Sequence, residues 1–367
     1  MGRGEGAYHA FVPAPLPPRL ELAPGLVALL SEADRAVGRL GGVGQNLPNP
    51  HLLIGPFKRR EAVLSSRIEG TQASFSDLLL FEVVPEGEQR VEDVLEVSNY
   101  VRALDHGLAR QRTLPMSLRL IREMHRLLME GVRGQQRDPG EFRRVQNWIG
   151  PTGCDVTTAN YVPPPPDELP GALSSFEKYL HAPGDLPALV RVALMHYQFE
   201  AIHPFLDGNG RIGRLLITLM LCTDGVLPGP LLYLSAYFER RREEYYAGLL
   251  AVSREGKWEE WIEFVLHGVK EQADDAVRRA TKLMSLRATY RARLSAQRAS
   301  ARALELSEML FDTPAISVGQ AAKRLGVTAR GAQQVVDKLV KADVLREVTG
   351  KKRGRVYVAW EVVGVVE

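Results

Sequence analysis

Cysteine is nearly absent from this chain: two residues in 367, Cys154 and Cys222, neither in a CxxC pair nor beside a His-rich tract. That excludes a disulfide framework, argues against a structural zinc site and fits a reducing compartment. No apolar run approaches the ~20 residues that a membrane span needs. The opening MGRGEGAYHAFVPAPLPP lacks the apolar core of a secretory signal, and Gly6 stands where a myristoylation signal wants Ser or Thr. The expectation is a cytoplasmic protein with no membrane partner. Strong charge of one sign is missing too. The net charge is +3, from 47 basic and 44 acidic residues, so the whole molecule does not read as a nucleic-acid binder, although its C-terminal end is locally basic. What is present is ordinary for a globular chain, 45% hydrophobic and 25% charged, with length for two or three cores.

The patterning is mainly α. Residues 1–20 are Pro-rich and extended, with a docking role. Leu26, Leu29, Leu30, Ala33 and Val37 recur at helical spacing. After NLPNPHLLIGP a second helix is expected from Pro56, a favoured first-turn residue, to Gly70. VEDVLEVSNYVRALDHGL and SLRLIREMHRLLMEGV give two more. FRRVQNWIG and ANYVPPPP, separated by a Gly/Pro/Asp turn, read as a β-hairpin. Helices are expected again at 167–181, 187–202, 238–252 and 258–275, with LLITLMLCTDG between the middle two pairs and a linking helix at 276–302. The expected domains are 1–110, 111–275, the helical linker 276–302, and 303–367 with a pattern of its own.

The chemistry gathers in HPFLDGNGRIGR, His203 to Arg214, between two apolar helices. Gly208, Asn209 and Gly210 allow backbone conformations closed to bulkier residues, so their N–H groups can converge on an anion. The helix that starts there adds its positive dipole end. Arg211 and Arg214, three apart on that helix, would share a face and suit a polyphosphate. Asp207 offers a hard oxygen ligand, and magnesium is typically held by one or two carboxylates plus substrate phosphates. His203 supplies a base with a pKa near neutrality. Each residue alone fits an ordinary turn; the set in this order does not. His196, Glu200 and His203 also raise a zinc reading, but their spacing is not HExxH.

This segment resembles the Fic family signature, His-Pro-Phe-x-Asp/Glu-Gly-Asn-Gly-Arg-x-x-Arg, at every defined position. The resemblance implies a Fic-type helical core with a β-hairpin flap, an N-terminal helical domain and a small C-terminal winged helix-turn-helix. It implies a protein adenylyltransferase that uses ATP and Mg²⁺. His203 would deprotonate a target Ser, Thr or Tyr hydroxyl and Asp207 would hold the metal. Gly208, Asn209, Gly210 and Arg211 would line the phosphate cradle, and Arg214 would meet the γ-phosphate. Related Doc-type phosphotransferases carry a lysine late in the motif; this chain keeps Gly210, Arg211 and Arg214. Gln146 to Pro163 resembles the flap on which the family docks its protein target by strand addition, with Trp148, Ile149 and Tyr161 as apolar grips, or else it is a structural hairpin packed on the core. EEYYAGLL resembles the segment near the adenosine, where Tyr245 or Tyr246 either contacts the nucleotide or packs in the core.

SSRIEG resembles the family's inhibitory motif, Ser/Thr-x-x-x-Glu-Gly/Asn. Ser65 and Glu69 lie four apart on one helix face. The resemblance implies that Glu69 pairs with Arg214 and keeps ATP unproductive, or that it orients a water that removes AMP. At the C-terminus, SVGQAAKRLGVTARGAQQVVDKLVKADVLREV and KKRGRVYVA resemble a winged helix-turn-helix: Val318–Leu325, the turn at Gly326, and a recognition helix Thr328–Lys341 that carries Arg330, Gln333, Gln334 and Lys338. Lys351, Lys352, Arg353 and Arg355 would form the wing. DNA and a protein partner are both open at this module. The resemblance leaves a homodimer open as well. The rival to an autoinhibited transferase, with self-modification as a side reaction, is a DNA-binding regulator whose Fic domain senses nucleotide.

Overall fold

The computed structural model describes residues 8–46, 51–84, 92–182, 184–351 and 354–367. Helices α1 (Pro24–Asn46), α2 (His51–Ile68), α3 (Phe75–Val83) and α4 (Glu92–Arg110) come first, then α5 (Leu118–Leu128), α6 (Leu169–His181), α7 (Ala188–Ile202) and α8 (Asn209–Thr223). Next come α9 (Ser235–Arg240), α10 (Arg242–Glu255) and α11 (Trp258–Ala296). The C-terminal module is α12 (Ala301–Met309), β1 (Ala315–Ser317), α13 (Val318–Leu325), α14 (Ala329–Lys341), β2 (Arg346–Glu347), β3 (Val356–Val358) and α15 (Trp360–Val366). The mainly α fold is as expected.

α7 and α8 are the centre. Twelve of fifteen residues are buried in each. Helices that are apolar all round belong inside a protein, and these two pack on each other between α2, α4, α5, α10 and α11. The loop that joins them, residues 203–208, therefore emerges from two helices buried on nearly all sides.

Four local expectations needed correction. Pro56 lies inside α2 rather than at its start; burial of Leu53 and Phe57 favours helix on both sides of it, against the penalty for an internal proline. α3 was not expected, although Ser74 and Asp77 form a reciprocal capping box at its start. The hairpin is reduced to one antiparallel bridge, Ile149 with Tyr161. The helices expected at 258–275 and 276–302 are largely one: α11 runs unbroken to Ala296, and Ala280, Leu283, Tyr290 and Leu294 on its later half are buried.

In the C-terminal module β3 is central, in the order β1-β3-β2, both pairings antiparallel. Gly326 closes α13 at φ +63, and Thr328 caps α14 by accepting from the Gly331 N–H. Of the wing residues, Lys351 and Arg355 are exposed, whereas Lys352 and Arg353 lie outside the described residues. The module is fastened to α2 and α3. Arg59 donates to the Asp312 carbonyl at 2.9 Å while it pairs with Glu82, and Gln320 donates to the Glu82 carbonyl at 3.1 Å.

The Pro-rich start, from residue 8, runs along the flap. The Phe11 N–H donates to the Val162 carbonyl at 2.9 Å, and Gln198 donates to the Ala14 carbonyl at 3.0 Å. No helix among the described residues is long and apolar enough to cross a membrane.

Candidate active site

α7 ends at His203, which takes a left-handed backbone conformation, φ 48 and ψ 61. A side-chain-bearing residue there costs on the order of 1–3 kcal/mol and persists only where its surroundings hold it. They do. Arg143 donates from Nε to the His203 carbonyl at 3.0 Å. Asn209 clips the loop shut: its Oδ1 accepts from the Phe205 N–H and its Nδ2 donates to the Phe205 carbonyl, both at 2.8 Å. Phe205 stacks on His125 with ring centroids 3.7 Å apart. His125 accepts the Gly140 N–H at Nδ1 and so donates from Nε2 to the Asp207 carbonyl, at 3.0 Å. Burial holds its ring neutral down to about pH 4.

The His203 ring has one defined partner, the Glu200 carbonyl, 3.3 Å from Nδ1. A carbonyl only accepts, so Nδ1 carries the proton and Nε2 keeps its lone pair. Burial first, then the Arg143 charge among smaller effects, brings the imidazole down to about 4, so it is neutral at physiological pH.

α8 opens with Gly208 at φ +76 as its cap. The first-turn N–H groups of a helix lack intrahelical partners, and the carboxylate of Glu69 packs against this turn at Gly210. A Cβ on Gly210 would lie 2.3 Å from Glu69 Oε1 and 3.0 Å from Arg214 Nη1. Position 210 thus has room for an anion only because it is glycine. Glu69 Oε1 accepts from Arg214 Nη2 at 2.6 Å. Arg214, with 1% of its side chain exposed, also donates to Ser65 Oγ at 2.8 Å and to the Ser65 carbonyl at 3.0 Å. Ser65 and Glu69 therefore meet on one guanidinium. Burial alone would push the Glu69 carboxyl up, but Arg214 outweighs it and holds the group below the usual range.

These groups line a cavity of about 590 Å³, bounded by His203, Gly210, Arg214 and Glu69 on one side and by Trp148, Ile149 and Tyr246 on the other. The two tyrosines differ. Tyr245 is 1% exposed and its hydroxyl bonds His196 Nε2 at 2.9 Å in an aromatic stack. Tyr246 is 39% exposed on the rim. The two arginines differ as well. Arg211 does not join Arg214 as a clamp; it turns to the buried Glu96 at 3.3 Å and to Asp207 at 3.6 Å. A shared helix face let both side chains point one way, and a buried carboxylate on α4 draws one of them aside. The Asn209 amide is spent on Phe205, so only its backbone N–H is left for an anion.

Asp207, in the loop just before α8, has 36% of its side chain exposed and two guanidinium contacts of 3.5 and 3.6 Å. One accessible carboxylate beside an anion cradle suits a magnesium ion that substrate phosphates help to hold. Among the described residues no three His, Cys, Asp or Glu side chains cluster as a metal site, so His196, Glu200 and His203 do not form a zinc centre. Burial lowers His196 to about 3 and raises the Glu200 carboxyl to about 8.

On the flap, Trp148 and Ile149 are exposed. Tyr161 is not a grip; its hydroxyl anchors the flap to the Ala201 carbonyl on α7 at 2.7 Å. Reading the sequence missed Arg143, Asn147 and His125, whose bonds to the 203–208 loop span 56 or more positions; no local pattern marks them.

The chain is similar to known proteins over most of its length. The family model described as Fic/DOC family N-terminal matches residues 27–109, that for the Fic/DOC family matches 115–221, and an HTH DNA binding domain matches 304–363. Curated relatives include a protein adenylyltransferase Fic of Drosophila grimshawi, 31% identical over 166 residues, which are 44% of this chain and 30% of that protein. Another, of Culex quinquefasciatus, is 33% identical over 155 residues, 41% of this chain and 27% of that protein. The chain thus spans about 30% of the length of the curated relatives it matches. Among solved structures, a Fic family protein from Desulfovibrio desulfuricans G20 superposes with a TM-score of 0.60 at 19% identity, over 94% of this chain and 98% of that one. A Fic domain containing signaling protein from Bacteroides thetaiotaomicron VPI-5482 gives 0.54 at 22% identity, over 70% of this chain and 96% of that one. These two likenesses concern the fold.

Proposed function

Because this chain belongs to the Fic/DOC family, through both the N-terminal and the Fic model, we propose that it is an autoinhibited protein adenylyltransferase. The observation that carries the reading is the His203 tautomer: Nδ1 is tied to a carbonyl, which leaves Nε2 unprotonated and able to accept a proton in the cavity that also holds Arg214 and the start of α8.

In the proposed reaction ATP lies in the cavity with its phosphates at the N–H groups of α8. His203 Nε2 takes the proton of a target Ser, Thr or Tyr hydroxyl as that oxygen attacks the α-phosphorus. The bond from the α-phosphorus to the bridging oxygen breaks, pyrophosphate leaves, and AMP stays on the target. A general base in this position contributes on the order of 10²–10⁴-fold. Asp207 would hold Mg²⁺, which when bound neutralises phosphate charge. Trp148 and Ile149 would meet the target segment, and a residue of the chain itself could enter the same place in self-modification.

Glu69 is the proposed brake. Its carboxylate occupies the anion position at Gly210 and engages Arg214. ATP must displace it to seat its γ-phosphate productively. The test is transfer from α-³²P-ATP with Mg²⁺ by the wild type, Glu69→Gly, and Glu69→Gly with His203→Ala. Strong labelling by the single variant, weak labelling by wild type and silence of the double variant support the reading. No transfer by any variant would overturn it, and release of AMP from a modified protein would point to hydrolytic removal of AMP by water.

A second activity is proposed for the C-terminal module, DNA binding. Arg330, Gln334, Lys338 and Lys341 on α14 and Lys351 and Arg355 by the wing are all exposed, the arrangement that phosphate contacts need. A salt-dependent mobility shift with duplex DNA tests it; no shift at low salt would remove it.

A further inference from the structure

Arg143 is 4% exposed and has no carboxylate partner among the described residues. It donates from Nε to the His203 carbonyl at 3.0 Å, and from its terminal nitrogens to the carbonyls of Pro164 at 2.5 Å, Val145 at 3.3 Å and Ile202 at 3.5 Å. Its own backbone N–H donates to the Pro204 carbonyl at 2.9 Å. A buried cation without a counter-ion is costly, and burial pulls this guanidinium down to about 10. What repays the cost is where the carbonyls come from. Ile202 and His203 are the last carbonyls of α7, which have no intrahelical donors and carry the negative end of the helix dipole. Val145 and Pro164 are the two roots of the flap.

We propose that Arg143 is a positioning residue for the transfer reaction: one planar guanidinium fixes the left-handed turn that aims His203 into the cavity and ties that turn to the roots of the flap. The inference rests on the transferase reading for its rate effect, but the state of the His203 ring can be read without any transfer. A guanidinium spans several acceptors in one plane; an ammonium supplies charge at a point and cannot bridge them all. Charge and bridging are therefore separable by substitution. Besides Arg143, the charged groups that face His203 are Glu69 at the end of α2 and Asp207 in the loop, both of which favour its protonated form, whereas Arg143 opposes it.

The test uses the full chain with ¹⁵N-histidine, the His203 signal being assigned by its loss in His203→Ala. Arg143→Gln removes the charge, and the His203 titration midpoint should rise by at least ~0.5 unit. Arg143→Lys keeps the charge, and the midpoint should stay near that of wild type. In the Glu69→Gly background, Arg143→Lys should lower the single-turnover transfer rate by about tenfold or more, with the dissociation constant for ATP within about twofold of the parent. Arg143→Gln that melts like wild type yet leaves the His203 titration in place would overturn the proposal. If Arg143→Gln does not fold, an undiminished transfer rate in Arg143→Lys would overturn it instead. Should the Glu69→Gly parent transfer nothing, the transferase reading fails, while the titration still decides whether Arg143 governs His203.

Discussion

Arg214 on α8 and Lys338 on α14 are both helix cations, and they stand in opposite circumstances. Arg214 has 1% of its side chain exposed and is held by Ser65 and Glu69. Lys338 is exposed on the outer face of α14. The contrast extends to their surroundings. Around the 203–208 loop the charged and polar groups Arg143, Arg211, Glu96, His125 and His196 are buried, and each has a named partner. On the winged helix the basic residues face water. A buried charge must be matched by geometry within the fold, because an unmatched one costs several kcal/mol. An exposed charge contributes little to the fold and is free for an outside phosphate. The charges around the loop are therefore committed within the fold, while those of the winged helix are left to solvent.

The sharpest way to break this comparison is at the base. With Glu69→Gly as parent, His203→Ala should cut single-turnover transfer by about 10²–10⁴-fold, and a mobility shift with DNA should not change. A loss of DNA binding would mean that the two regions are not independent.

Acid is the next lever. His125, His196 and His203 are held neutral in the fold, at about 4, about 3 and about 4 against an ordinary 6.5. The unfolded chain binds these protons first, so stability should fall as pH drops from about 6.5 towards 4. Glu200 works the other way, since its folded carboxyl keeps a proton up to about 8. Three protons gained on unfolding less one lost give a slope of about 3 kcal/mol per pH unit. Denaturant melts across that window check the sign and the size. A flat profile would mean that these histidines are not neutral in the fold.

Glu69→Gly should raise transfer and also loosen the protein. Breaking a fully buried ion pair costs about 3–5 kcal/mol. Because 34% of the Glu69 side chain meets water, about 1–3 kcal/mol is expected here, read as a lower urea midpoint. A gain of activity with no loss of stability would show that Arg214 finds another partner. Smallest is the wing. Replacing Lys351 and Arg355 with Ala should change stability by less than about 0.5 kcal/mol and leave transfer within twofold, while flattening the salt dependence of DNA binding by about one to two phosphate contacts.

Legibility followed the distance between partners. His203, Asp207, Gly208 and Gly210 stood out because cap, turn and helix start all fall within one short segment. The capping box of α3 was equally local and went unread, since nothing but Ser74 and Asp77 announced it. Pro56 misled because a local preference was outweighed by burial of its neighbours. The pairing of Glu69 with Arg214 spans 145 positions and was reached only through resemblance.

By itself the sequence determined the helical class, the glycine-rich turn before α8 and the groups available to it, because those depend on periodicity and on contacts within one or two helical turns. Tertiary structure alone decided that Arg211 leaves the cradle for Glu96, that Tyr245 is core while Tyr246 is rim, and that Arg143 and His125 grip the carbonyls of His203 and Asp207. Each of those outcomes turns on which distant group arrives to satisfy a buried donor or charge, and that is settled only when the helices pack.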